Sequence, residues 1–184
     1  MALTVTPTAS VIDDGAQIAY AMAGDRGLPG QIATIGDSTI LTGANETGAR
    51  IGFGVPLGAN GSGVLPNSAN VRTTAGALLG ISVRTQTTMR DGPTGYADGI
   101  PDGGAINILT QGFIYLEVWE ILAIGDGLRY FKSGTNIGKW GKTASAGNSL
   151  ALAAGGWVIR KGAAAGGVAV VEINTPAQLT VTAD

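Results

Sequence analysis

Phe113-Ile114-Tyr115-Leu116-Glu117-Val118-Trp119-Glu120 alternates aliphatic side chains with aromatic or charged ones. Successive side chains of a β-strand point to opposite faces of the sheet. Ile114, Leu116 and Val118 therefore share one face, which the alternation assigns to the core. Tyr115, Glu117 and Trp119 share the other, a mixed face that is either solvated or an interface, where aromatics are enriched.

Working outward, Leu79 to Thr88 repeats the pattern, with Ile81 and Val83 facing inward and Ser82, Arg84 and Gln86 outward. Thr39–Thr42, Ala105–Leu109, Leu128–Lys132, Trp157–Arg160 and Val168–Ile173 read as further strands. Thr110-Gln111-Gly112 separates two such runs and predicts a tight hairpin connection. Asp126-Gly127 is a favoured type I′ turn pair between another two. The Ala/Gly/Ser-rich segment from Gly141 to Gly167 reads as a loop around a single strand. No window of helical length combines a 3.6-residue period with an acceptable glycine content. The fold class expected is mainly β, a compact antiparallel β-barrel or sandwich-like domain over residues 36–184 with an extended N-terminal arm over residues 1–35. The arm carries Thr4-Val5-Thr6-Pro7-Thr8 and the irregular Asp25-Arg26-Gly27-Leu28-Pro29-Gly30. Such a terminal segment is poorly ordered unless something ties it down.

The chain has no histidine and no cysteine among 184 residues. Serine–histidine and cysteine–histidine nucleophile systems, ordinary zinc sites and disulfides are therefore excluded. A net charge of −2 without a Lys/Arg cluster gives no general attraction to phosphate backbones, so no nucleic-acid partner is expected. The longest apolar stretch, Leu150 to Ile159, holds two glycines and stops at Arg160-Lys161, so no membrane partner is expected either. Met1-Ala2-Leu3-Thr4-Val5 lacks the charged and apolar regions of a signal peptide, which points to a protein made in a cytoplasm.

Several short motifs invite chemistry and do not carry it. Gly36-Asp37-Ser38 looks like a serine-esterase nucleophile block, but the base it needs is missing. Asn136 to Thr143 ends like a P-loop yet has Asn136 where glycine is required. Gly52-Phe53-Gly54-Val55-Pro56 has dinucleotide-like glycines at the wrong spacing and reads as a glycine-kinked strand. Glu117 and Glu120, three apart on a strand, point to opposite faces and do not form a glycosidase pair. Asp98 and Asp102 lie in a turn-rich loop without EF-hand spacing. Trp140, flanked by Lys139 and Lys142, is assigned to a loop, and Trp157, beside Val158 and Ile159, to the core. No catalytic residue, metal site or cofactor is expected.

Taken in order, several blocks resemble the structural cement proteins that decorate tailed-phage capsids. They are Ala19-Tyr20-Ala21-Met22-Ala23-Gly24-Asp25, Ile51-Gly52-Phe53-Gly54-Val55-Pro56-Leu57-Gly58, Leu79 to Thr87, and Tyr96 ahead of Ile106-Asn107-Ile108-Leu109. Gly112 to Val118, Ile124-Gly125-Asp126-Gly127 with Tyr130-Phe131, and Gly166 to Ile173 complete the series. The order and spacing of the blocks, over about residues 17–174, carry the resemblance. It implies a β-rich, non-catalytic protein of the virion, made in the host cytoplasm. Its implied partners are the major capsid protein, on the outside of the shell, and itself, as a trimer or else a dimer. Candidate capsid or oligomer contacts are Ile18, Tyr20, Met22, Arg26 and Leu28 of the arm, with Tyr115 and Trp119 of the mixed strand face. Two rival readings are a phage adhesion or carbohydrate-binding module, using Tyr115, Trp119 or Trp140 as sugar platforms, and a histidine-free hydrolase working with carboxylates.

Overall fold

The computed structural model describes residues 27–34, 38–85, 99–174 and 180–183. Within them the chain is all β, with no helix. The first strands are β1 (Thr39–Asn45), β2 (Pro56–Ala59), β3 (Ser68–Val71), β4 (Gly76–Ala77), β5 (Gly80–Ser82) and β6 (Ala105–Glu117). They are followed by β7 (Arg129–Phe131), β8 (Trp140–Gly141), β9 (Ser149–Leu152), β10 (Trp157–Lys161), β11 (Val168–Ile173) and β12 (Thr180–Ala183).

Strands β1, β3, β2, β5 and β6 pair in that order, and a further β1–β6 pairing closes them into a five-stranded barrel. The barrel is antiparallel except at one seam: β1 and β3 run parallel, with Ala44 opposite Ser68. β6 continues beyond the barrel and pairs with β11, which pairs with β10. A second sheet, in the order β4-β12-β9-β7-β8, stands beside it.

β6 is the axis of the molecule. Ile106, Ile108, Ile114, Leu116 and the following Val118 are buried on one side of it, as the alternation requires. Full burial of one such side chain is worth about 1.5–3 kcal/mol. The hairpin expected at Thr110-Gln111-Gly112 does not exist, because residues 105–117 form one continuous strand. Gly112 marks an exchange of partners: β1 pairs with β6 up to Gln111, and β11 takes over at Gly112. Gly112 has φ +126°, and a Cβ there would lie 2.7 Å from Ser38 Oγ and 3.1 Å from Ser38 Cα. The glycine serves the close approach of another chain segment.

Other expectations fail for similarly physical reasons. Ser82, assigned outward, is fully buried: it lies opposite Ile108 and so shares the face of β6 that carries Ile106 and Ile108. Its hydroxyl donates to Gly52 O (2.8 Å) and accepts from Val55 N (3.0 Å). The turn assigned to Asp126-Gly127 sits earlier, over Ala123–Asp126, with Gly125 at φ +90° and Asp126 N donating to Ala123 O. The Gly141–Gly167 segment carries two strands, β9 and β10, since Leu150 and Leu152 are buried in the second sheet.

Trp140 is wholly buried, not on a loop. Its ring lies 5.3 Å from that of Tyr130. Its indole Nε1 donates to Gly54 O at 2.7 Å, which ties the second sheet to the barrel's Gly52–Val55 segment. One continuous hydrophobic cluster therefore includes Leu57 and Ile81 of the barrel together with Trp140, Leu150 and Val181 of the second sheet. Buried Asn45 holds the other end: its amide donates to Ala49 O and Ile100 O, and its carbonyl accepts from Thr47 N and Thr47 Oγ1.

The far end of the 1–35 segment is attached to β6. Ile32 bridges to Ile114, Gly30 N donates to Tyr115 O, Tyr115 N to Gln31 O and Ala33 N to Phe113 O. Residues 30–33 thus line the β6 edge that β5 occupies further back, and Arg84 N donates to Gly30 O.

Candidate functional site

Chemistry and surface features gather where β6 leaves the sheet. Tyr115, Glu117 and Trp119 fall on one face, all half-buried. Gly27 sits directly on the Tyr115 ring, where a Cβ would come within 2.0 Å of Cδ2. Leu28 follows, 47% exposed, in a turn closed by Gln31 N donating to Leu28 O. Glu117 pairs with Lys139 at 2.8 Å. The Trp119 ring meets Phe131 edge-on with centroids 5.5 Å apart, and Trp119 N donates to Trp140 O.

The next loop is held from three sides. Leu122 is buried and exchanges two backbone hydrogen bonds with Ala163, at 3.0 and 2.9 Å. The Glu120 carboxylate accepts from Lys142 N (2.6 Å), Thr143 N (2.7 Å) and Thr143 Oγ1 (2.7 Å). Partial burial pushes its pKa up, but the hydrogen bonds from Thr143 and Lys142 outweigh this and hold it below the usual glutamate value. Asp126 accepts from Ala123 N (2.9 Å) and from Lys142 Nζ (3.1 Å), and these donors lower its pKa also. The fixed loop presents Ile121 and Ile124, 65% and 70% exposed, on either side of the anchored Leu122. Neither isoleucine is among the contact candidates read from the sequence, where Ile124 figures only in a block of the resemblance. The available signal was an apolar residue at the tip of a glycine turn, where polar residues are usual.

The arrangement offers no assembled reaction chemistry. Glu117 and Glu120 each have separate partners. In the Gly141-Lys142-Thr143 run that ends like a P-loop, the backbone amides of Lys142 and Thr143 are already occupied by Glu120. Burial pushes the Tyr130 hydroxyl up to about 12, so it stays protonated. Asp102 accepts from Gly48 N, and no cluster of metal-ligating side chains occurs among the described residues. Asp98, Gly36 and Asp37 lie outside the described residues, as do Ile18, Tyr20, Met22 and Arg26. Leu28, Tyr115 and Trp119 therefore are the contact candidates whose surroundings are seen. Trp140, shut inside the core, offers no platform for a sugar.

Comparison with known proteins adds three findings. A family model described as "structural cement protein (E217 gp24/Pam3 gp6)" matches residues 16–174. A chain of the structure "The capsid of Myoviridae Phage XM1" is similar in fold, with a TM-score of 0.59 over 85% of this chain and 95% of that one, at 18% sequence identity. No curated protein matches.

Proposed function

The chain belongs to the structural cement protein family of phages, and from that premise we propose how it does its work. Its role is structural: it stabilises the capsid as part of the virion. In our reading it binds the outside of the assembled head, on the lattice of the major capsid protein, after synthesis in the host cytoplasm. The family match over residues 16–174 carries this reading.

The physics is mass action. A molecule that binds the assembled lattice, and not its free subunits, adds its binding free energy to the assembled state, about 2.7 kcal/mol per site at a hundredfold excess over Kd. Many copies, each bridging neighbouring subunits, act multivalently. The contact chemistry we assign is apolar. Ile121 and Ile124 stand exposed on a loop that Glu120, Asp126 and Leu122 already hold in place, so little ordering entropy opposes docking. Leu28 adds a third exposed aliphatic at the same end of β6. Self-association as a trimer, with a dimer as the alternative, would bury the remaining strand edges. Catalysis has no part in this reading.

A heat challenge of particles with and without the protein tests it. Particles lacking it assemble but release their genome at a lower temperature, and adding the purified protein back restores the difference. Equal release temperatures at saturating occupancy overturn the cementing role. Surface labelling that finds the protein only on tails moves it to the adhesion reading.

A further inference from the structure

The connection between β2 and β3, residues 60–67, holds a dipeptide with chemistry of its own. Of the asparagines in the chain, only Asn60 is followed by glycine. An asparagine side chain can be attacked at Cγ by the backbone nitrogen of the next residue, and a glycine there has no Cβ to hinder the approach. In a folded protein the attack also requires that this nitrogen be free. Asn67 and Asn148, each followed by serine, fail that condition. Ser68 N donates to Leu65 O (3.2 Å) and Ser149 N donates to Ser145 O (3.0 Å). Gly61 N, in contrast, has no hydrogen-bond partner among the described residues. Gly61 is exposed, and a Cβ built on it would meet nothing within 4 Å.

We propose that Asn60-Gly61 is a self-modification site, at which the folded protein converts its own asparagine to aspartate and isoaspartate. Gly61 N bonds to Asn60 Cγ, the Cγ–Nδ2 bond breaks, and ammonia leaves with the proton that Gly61 N gives up through solvent. Water then opens the cyclic imide at either of its carbonyls. One opening leaves an ordinary aspartate, and the other leaves an isoaspartate whose side-chain carbonyl carries the main chain. The surroundings favour the attack. Asn60 Oδ1 accepts from Ser62 N (3.2 Å), so a backbone donor already faces the oxygen on which negative charge develops. The Asn60 backbone is held on both sides, its N donating to Ser68 O (2.9 Å) and its O accepting from Gly63 N (3.1 Å). The target is therefore fixed while the attacking residue is free to turn toward it, and a positioned pair reacts faster than a wandering one.

The inference is independent of the cement role. Its consequence is local. Conversion deletes the Nδ2 donor to Glu46 O (3.1 Å) and puts a new carboxylate near that of Glu46, which accepts from Leu65 N (3.0 Å). The isoaspartate also adds a methylene to the loop backbone. The loop that presents Val64 and Leu65, 89% and 50% exposed, loosens as a result.

Ageing the full-length protein in mildly alkaline buffer, folded and in urea, tests the proposal. Peptide mass spectrometry reads the exchange of NH2 for OH at each asparagine, and an isoaspartate-specific methyltransferase reads the altered linkage. In the folded protein Asn60 converts while Asn67 and Asn148 stay intact. In urea, where Ser68 N and Ser149 N are released, those two convert as well, later than Asn60. If Asn60 is still intact in the folded protein after the urea sample has converted, the proposal is overturned. If Asn67 and Asn148 convert as fast folded as in urea, the protection assigned to their tied neighbours is refuted. Gly61→Ala is the second arm. Gly61 has no positive φ and the site has room for a methyl, so the variant folds. The methyl hinders the approach, and Asn60 then survives the same ageing; conversion at the wild-type rate rules out attack by the backbone nitrogen. Hydrogen exchange at the Leu65 amide reads the loosening. It quickens in the converted fraction, isolated by its extra negative charge, and unchanged exchange overturns the consequence drawn for the loop.

Discussion

Replacing Trp140 with Phe lowers the stability of the whole molecule, and the size of the effect follows from its surroundings. The indole Nε1 donates to Gly54 O at 2.7 Å across 86 residues of sequence, in a site closed to solvent. Phenylalanine removes the donor and leaves a buried carbonyl without this partner, at about 1–3 kcal/mol. The lost half of the indole leaves a cavity between the Tyr130 ring and the barrel, which at ~24 cal/mol per Å³ adds roughly 1 kcal/mol. The sum is about 2–4 kcal/mol, a sizeable share of a typical ~5–15 kcal/mol. For a chain of this length, 3 kcal/mol lowers Tm by about 6–12 °C. The internal control is Trp157→Phe. Trp157 is half-buried and donates to Ala153 O at 2.8 Å, only four residues away, so water can replace the lost partner. Its cost is about 0.5–1.5 kcal/mol. Urea unfolding followed by far-UV circular dichroism measures both. If Trp157→Phe proves equal or worse, Trp140 is not the tie between the two sheets.

Two further changes probe the frame. Gly112→Val destabilises by about 2–3 kcal/mol, because a β-branched residue is strained at φ +126° and its Cβ collides with Ser38; an unchanged denaturation midpoint would sink the claim that the chain crosses there. The loop bearing Ile121 and Ile124 also loosens in acid. Glu120 has a folded-state pKa below its ordinary 4.5, so its stabilising contribution is complete above 4.5 and is lost as pH falls through the lowered value. Asp126 acts in the same direction below its ordinary 3.8. Melting temperatures hold level from about pH 7 to pH 5 and then fall, and Glu120→Gln flattens that fall; a variant with the wild-type acid slope contradicts the latch.

The inner face of β6 was legible in the sequence because its signal is local. Ile114, Leu116 and Val118 alternate strictly, and nothing distant was needed to assign them. What stayed hidden depends on contacts made far along the chain. Gly112 carries the same sign whether it makes a turn or admits a crossing segment, and only the position of Ser38 distinguishes the two. Ser82 looked solvated because its strand alternates, yet it lies opposite Ile108 on the buried face, where Gly52 O and Val55 N satisfy its hydroxyl. The lysines beside Trp140 suggested a loop, yet Lys139, its immediate neighbour, points to the opposite face and pairs with Glu117, and Lys142 lies beyond the two-residue strand and reaches Asp126. The exposed isoleucines escaped notice for the opposite reason: exposure is a property of the surface, and an isolated Ile in a sequence reads as core.

These errors share a direction, and the direction bears on function. Sequence patterning assumes that one face of each strand is wet. In this chain both faces of β5 are buried, with Ile81 and Leu109 on one and Ser82 and Ile108 on the other, and the outer side of the β6–β11–β10 extension is half-buried. Among the described residues Leu28, Ile40, Val64, Leu65, Ile121, Ile124 and Ile137 are the exposed large aliphatics, and an exposed aliphatic matters for docking where its loop is already held in place. Ile121 and Ile124 are such residues, on a loop fixed by two carboxylates and a buried leucine. Burying them against a shell removes apolar area from water at about 25 cal/mol per Å² while costing little loop entropy. That gain is small for one molecule. Repeated at every site of a lattice, it suits a protein whose effect is the sum of many modest contacts.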